Sequence, residues 1–91
     1  MNTDMACVGY VLSSTYRIKV METLKGKFKT PTQIANDIDI RTNHISNVLR
    51  ELKTHNLIVC VNEEARKGRI YKLTRYGNKI MKIIEDRDRE V

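Results

Sequence analysis

The 91-residue chain predicts a mainly helical domain with one β-hairpin, in the order helix-helix-helix-strand-strand-helix. Three observations predict it. The stretch Thr32 to Leu52, TQIANDIDIRTNHISNVLREL, carries apolar residues at helical spacing on two segments joined by a short turn. Ile34, Ala35 and Ile38 share one side of the first segment; Ile45, Val48, Leu49 and Leu52 share one side of the second. LIVCVN at 57–62 and RIYKLT at 69–74 read as strands, and the polar loop EEARKG between them makes the pair a hairpin. The third observation is length. A chain this short forms one domain and buries roughly 60–65% of its unfolded surface, so its core is modest.

Taken in order, residues 1–9 show no clear period and read as a loose N-terminal arm. From Tyr10 to Lys25 the pattern is helical, through Val11, Ile18, Val20, Met21 and Leu24. Ser13 or Ser14 can cap a new turn there, which leaves one helix or two open. Gly26 ends this region, and the basic link KGKFKT is expected to be extended, with Phe28 pinned to the core. Thr30 is placed to cap the next helix, with Pro31 at its first position. Asp39 falls in the turn of the motif, where a left-handed backbone is often needed. The second motif helix starts near Arg41–Thr42 and runs to about His55, and Asn56 sits where a helix wants a left-handed terminator. After the hairpin, Arg75 to about Arg89 is helical, with Tyr76, Ile80, Ile83 and Ile84 along one side. Met81 and Ile84 widen its apolar arc to about 160°, more than one-sided packing requires. Tyr76, Ile80, Met81 and Ile84, with the first helix, are therefore expected to form a homodimer contact. The alternative is a single core that wraps the helix.

An apolar share of 41% suits a globular fold, and a formal charge of +6 favours polyanionic partners. No run is long enough to span a bilayer, and MNTDMACVGYVL lacks the basic region of a signal peptide, so a soluble cytoplasmic protein is expected. Cys7 and Cys60 match no zinc spacing and read as small buried or half-buried thiols. His44 and His55 have no nucleophile or carboxylate at a persuasive spacing, and no Gly-rich phosphate loop occurs. No enzymatic activity, metal or cofactor is expected, and no effector can be inferred.

The chemistry lies on the solvent side of the second motif helix. Asn43, Asn47, Arg50 and Thr54 stand opposite its apolar stripe. Asn is a poor helix former with no packing reason to be there, whereas Glu and Lys are what a merely solvated face carries. Asn and Arg pair bidentately with adenine and guanine edges in a DNA major groove. Arg41, Thr42 and Ser46 at the helix start would reach phosphates or base edges. His44, beside this face, is either a surface histidine or a phosphate contact. At the hairpin tip, Arg66, Lys67 and Arg69 would enter a neighbouring minor groove or hold phosphate, diluted by Glu63 and Glu64. Lys25, Lys27 and Lys29 form a second basic group, as well suited to a backbone contact as to plain solubility.

A helix-turn-helix followed at once by a hairpin is the winged helix arrangement, and three pieces of this chain resemble regulators of the ArsR and MarR type. RIKVMETL at 17–24 resembles the first-helix pattern of the ArsR group. TQIANDIDI…HISNVLRELKTHNLI at 32–58 resembles the helix-turn-helix run common to both groups, and KGRIYKLTRYG at 67–77 resembles the returning strand of the wing. Departures accompany the likeness. Arg41 stands where those proteins often cap the recognition helix with Ser, which moves the expected cap to Thr42. Asp39 and Asn56 replace glycines, and Lys67 replaces an acidic residue that braces the wing arginine, here Arg69. TPTQIAND holds no thiol, which argues against the metal site of the metal-sensing ArsR proteins. The resemblance implies a homodimeric, double-stranded DNA-binding transcriptional regulator, a repressor by preference. The alternatives are a winged helix that contacts protein or RNA, and a chromatin protein that binds DNA without sequence choice.

Overall fold

The computed structural model describes residues 3–89, whose elements follow in the order α1 (Thr3–Leu12), α2 (Thr15–Leu24), α3 (Pro31–Ile38), α4 (Thr42–Thr54), β1 (Ile58–Cys60), β2 (Tyr71–Leu73) and α5 (Arg75–Arg89). The loose arm expected over residues 1–9 is instead helical from Thr3 onward; Met1 and Asn2 lie outside the described residues. The reason is packing. Val8 and Val11 are fully buried, while Met5, Ala6, Gly9 and Leu12 stay exposed. Apolar residues all round the helix hide the period that would reveal it, and tertiary contact with α2 and α5 supplies the order that pattern and propensity do not.

Two helices, not one, occupy Tyr10 to Lys25. Ser14 has an extended backbone and its hydroxyl accepts from the Arg17 N–H at 3.3 Å, so α2 begins anew there. Thr30 closes a capping box: its hydroxyl accepts from Gln33 N–H, and the Gln33 side chain accepts from Thr30 N–H. Asp39 ends α3 at φ 56°, and the Ile40 N–H reaches back to the Ala35 carbonyl at 3.0 Å. Asn56 ends α4 likewise at φ 60°. Both expected left-handed positions are observed.

β1 and β2 pair antiparallel, Ile58 opposite Leu73 and Cys60 opposite Tyr71. Both strands are shorter than expected, because the Asn62 side chain takes over the ladder: its Oδ1 accepts from Ile70 N–H at 2.7 Å, and its Nδ2 donates to the Gly68 carbonyl at 3.1 Å. The α2–α3 link joins this sheet through one antiparallel bridge between Lys29 and Tyr71. Phe28 is not pinned to the core. Holding Lys29 against Tyr71 turns the neighbouring ring outward, leaving Phe28 63% exposed with the Lys72 ammonium 5.7 Å from its centroid.

The core draws Val8 and Val11 from α1, Val20, Met21 and Leu24 from α2, the apolar faces of α3 and α4, Leu57, Ile58 and Leu73, and Ile80, Met81 and Ile84 from α5. That last group corrects the expected dimer contact. Ile80, Met81 and Ile84 are 0%, 2% and 3% exposed within the single chain, because α1 covers the flank of α5 that looked spare. Tyr76 remains half-buried, packed on the core's edge. A hydrogen bond with Cys7 of α1, aided by burial, pushes its phenol up to about 12, so it stays neutral at working pH. Cys7 is half-buried, Cys60 is buried, and both are free thiols.

Candidate nucleic-acid interface

Helix α4 buries Ile45, Val48, Leu49 and Leu52 and exposes Thr42, Asn43, His44, Ser46, Asn47, Arg50 and Thr54. The split follows from the apolar spacing: a stripe this regular fixes which way the helix faces, and every remaining position must meet water. The N-cap is Arg41, one residue before the expected Thr42. Its carbonyl already accepts from the N–H groups of His44 and Ile45, at 3.0 and 3.2 Å, so Thr42 lies inside the helix. Arg41 makes no side-chain cap bond, leaving the first-turn amides without a side-chain acceptor and open to an anion. Two hydroxyls on this face are spoken for as donors: Ser46 Oγ donates to the Thr42 carbonyl at 3.4 Å and Thr54 Oγ1 to the Arg50 carbonyl at 2.8 Å. Asn43, Asn47 and Arg50 have no hydrogen-bond or ion-pair partner among the described residues beyond the helix backbone itself.

The far end of α4 is held rigidly. Arg17 donates from Nη2 to Glu51 Oε2 at 2.8 Å, and from Nη1 to the Tyr10 carbonyl and the Ser13 hydroxyl. Its guanidinium carbon stands 3.9 Å from the centroid of the Tyr10 ring, which in turn stacks on His55 with centroids 3.8 Å apart. The Glu51 carboxylate holds the Arg17 pKa above its ordinary value, and burial raises the Tyr10 phenol. Nothing in the sequence pattern marks Tyr10 and His55 as partners; they meet only because α1 is a helix.

In the wing, Arg66 and Lys67 are exposed at the tip, whereas Arg69 is turned back on the loop. Its Nε donates to the Ala65 carbonyl at 2.9 Å and its Nη2 to the Glu63 carbonyl at 3.1 Å. Backbone carbonyls thus provide the brace that the missing acidic residue would have supplied, and Arg69 sits at the base of the wing instead of its tip. There Arg69 and Tyr71 line a crease of about 330 Å³ with Ser46, Leu49, Arg50 and Lys53 of α4 and with Pro31. Lys53 is ion-paired with Glu63; their contact holds Lys53 above its ordinary pKa and Glu63 below. Lys53 and Tyr71 are not among the residues expected from sequence at this face. The spacing of Lys53 three residues after Arg50 was the available signal for the first. In the second basic group, Lys25 pairs with Glu85 and Lys29 with Asp37, which leaves Lys27 as its remaining cation.

No family model matches the chain, and no curated protein does. Solved structures do. The homodimeric winged helix-turn-helix DNA-binding domain of Mb0332 from Mycobacterium bovis, a "possible ArsR-family transcriptional regulator", is similar over 96% of this chain and 80% of its own, with TM-score 0.79 at 17% identity. This chain is a winged helix-turn-helix. The transcriptional regulator YodB of B. subtilis in its reduced form is similar over 97% of this chain and 88% of its own, with TM-score 0.79 and 17% identity. Quinone-bound YodB gives TM-score 0.77 and 19% identity over 97% of this chain and 93% of its own. At such identities the likeness establishes the winged helix-turn-helix fold. Among the described residues no helix is long and apolar enough to cross a membrane, and no group of three or more His, Cys, Asp or Glu is placed to hold a metal ion.

Proposed function

We propose that this winged helix-turn-helix is a non-enzymatic, sequence-specific DNA-binding transcriptional regulator that works as a homodimer, as a repressor by preference. One observation carries the reading. Asn43, Asn47 and Arg50 form an exposed polar face whose side chains are unpaired among the described residues, and the base of the wing, whose tip carries Arg66 and Lys67, lies against the same helix. Asn and Arg on one helix face match base edges in a major groove, while the wing cations and the uncapped start of α4 match phosphates. Arg41, Thr42, His44 and Ser46 flank that start, Thr54 closes the far end, and the wing lies along the adjacent groove.

The dimer surface assigned here is the outer face of α1, in place of the buried α5 residues. On α1, Met5 and Leu12 are 45% and 44% exposed, and a Cβ at Gly9 between them would meet nothing within 4 Å; Tyr16, in the first turn of α2, is 46% exposed. A second copy on this face would present two recognition helices to half-sites about one helical turn, roughly 34 Å, apart. The Mb0332 domain, similar over nearly the whole chain, is homodimeric. Selection of bound sites from a random duplex pool tests the proposal. A pseudo-palindromic consensus is expected, with Arg50→Ala losing discrimination at one position by about 1–3 kcal/mol and Lys67→Ala weakening all sequences alike. A pool that stays random after selection refutes sequence-specific binding. Sedimentation of Leu12→Glu tests the α1 interface, since a folded variant that stays dimeric rules it out.

A further inference from the structure

We infer that the crease between α4 and the wing seats one backbone phosphate of duplex DNA, with Lys53 as its principal ligand, and that Glu63 occupies that ligand in the free protein. The inference rests on the DNA-binding reading above and adds to it a residue on α4 and a carboxylate on the wing that oppose each other.

Three cationic residues, Arg50, Lys53 and Arg69, line the crease together with Ser46 and Tyr71. The only carboxylate that pairs with any of the three among the described residues is Glu63, on Lys53. That pair differs from the scaffold's other ion pairs. Both its side chains are well exposed, 43% for Lys53 and 55% for Glu63, whereas every other pair has at least one partner at 35% or less. Exposed pairs hold their partners weakly, so exchange of Glu63 for a phosphate oxygen is cheap. Arg69 is fixed by the two wing carbonyls, which sets a guanidinium charge rigidly at the crease wall. Most of the residues that line the crease are polar or cationic, with Leu49 and Pro31 the aliphatic members, and at about 330 Å³ it has room for a hydrated backbone phosphate. The Glu63 carboxylate has the charge and the oxygen spacing to stand in for it.

The test is fluorescence anisotropy with a random-sequence duplex over a series of salt concentrations, using the full chain. Wild type is compared with Lys53→Gln, Glu63→Gln, the double variant, and Glu64→Gln as a control for loss of a nearby negative charge. Each phosphate contact contributes about 0.9 to the slope of log affinity against log salt. Lys53→Gln is expected to flatten that slope by about one unit and weaken binding severalfold. Glu63→Gln is expected to tighten binding by more than Glu64→Gln does, with the slope unchanged, and this excess is expected to vanish when Lys53 is already Gln. An unchanged slope in Lys53→Gln, or no difference between the Glu63 and Glu64 variants, overturns the inference while leaving DNA binding in place. Wild type that shows no salt-dependent duplex binding at all overturns the underlying function instead. Circular dichroism on each variant confirms that the fold is intact.

Discussion

Gly77→Ala probes the joint that aims the wing. Thr74 caps α5: its hydroxyl accepts from the Gly77 N–H at 2.9 Å and donates to the Asn56 carbonyl at 2.7 Å, while the Thr74 N–H donates to the Leu57 carbonyl at 3.0 Å. The first turn of α5 is thereby drawn onto the chain just where α4 gives way to the wing. A Cβ on Gly77 would stand 2.1 Å from the Leu57 carbonyl oxygen and 3.1 Å from its carbon, and real Cβ contacts essentially never fall under 3.0 Å. The carbonyl, which is backbone, must therefore retreat by about 1 Å, against a packed core that resists overfilling at roughly 1–3 kcal/mol. Losing the Thr74 N–H bond to that carbonyl adds about 1 kcal/mol. Ala's better helix propensity returns about 1 kcal/mol, for a net loss of about 1–3 kcal/mol. For a domain of this size that lowers Tm by roughly 4–8 °C per kcal/mol. Thermal and urea unfolding followed by circular dichroism measure it. Since Leu57 is the root of the wing, duplex affinity should fall further than the unfolded fraction accounts for. A Gly77→Ala protein as stable as wild type would refute the close approach on which the wing geometry is built.

Three further outcomes are expected. Asp39→Gly should raise stability in urea by about 0.5–1 kcal/mol, because Asp39 holds φ 56° where glycine carries no steric penalty; a loss instead would mean that the Asp39 carboxylate makes a contact of its own. Arg17→Ala should lower stability by about 2 kcal/mol, since it strips a charged hydrogen bond from Glu51 and the cover from Tyr10; an unchanged urea midpoint would show that the α1–α2–α4 joint is held by apolar packing alone. The Glu63 carboxyl should titrate below 4.5 in the folded protein and return towards it in Lys53→Gln, as read by carbon NMR. A depressed folded value means that this pair's contribution is complete above the unfolded Glu range and disappears as pH falls through the folded midpoint. A midpoint at the ordinary value in wild type would show the ion pair to be unformed in solution.

What could be read in advance was whatever a short stretch decides for itself. The stripes of α3 and α4, the Thr30–Pro31 start and the left-handed Asp39 and Asn56 are local choices, and the fold follows from them. Apart from the cap at Arg41 in place of Thr42, the misses are tertiary. Helix α1 shows no single apolar face because Val8 and Val11 pack inward while Met5 and Leu12 face out, so it read as an arm. That one omission produced the misplaced dimer contact: without α1 the arc of Ile80, Met81 and Ile84 looked too wide for one core. An apolar ring in an extended link is expected to turn inward, but the bridge at Lys29 sets the direction of Phe28. Sequence proximity places Arg69 with Arg66 and Lys67, whereas the turn built around Asn62 and Gly68 swings it to the wing base.

The charge of +6 says little by itself; what matters is where carboxylates leave it uncompensated. Arg17, Lys25, Lys29 and Lys79 are each neutralised by an acid on a neighbouring element, Glu51, Glu85, Asp37 and Asp4 in turn, and those pairs stitch α1, α2, α3, α4 and α5 together. Arg50 on α4 and Arg66 and Lys67 on the wing have no such partner among the described residues. Lys19, Lys27, Arg75 and Lys82 are unpaired among the described residues as well, so what sets this face apart is that Arg50 shares it with exposed asparagines, which plain solubility does not call for. Guanidinium and ammonium groups set beside exposed asparagine amides repel one another, and a polyanion with hydrogen-bonding edges is the kind of partner that would offset it. Lys53 lies on the boundary between the two regimes, paired like a scaffold residue yet exposed like an interface one. That is why its exchange between Glu63 and phosphate is the sharpest measure of whether the uncompensated charge is there to bind.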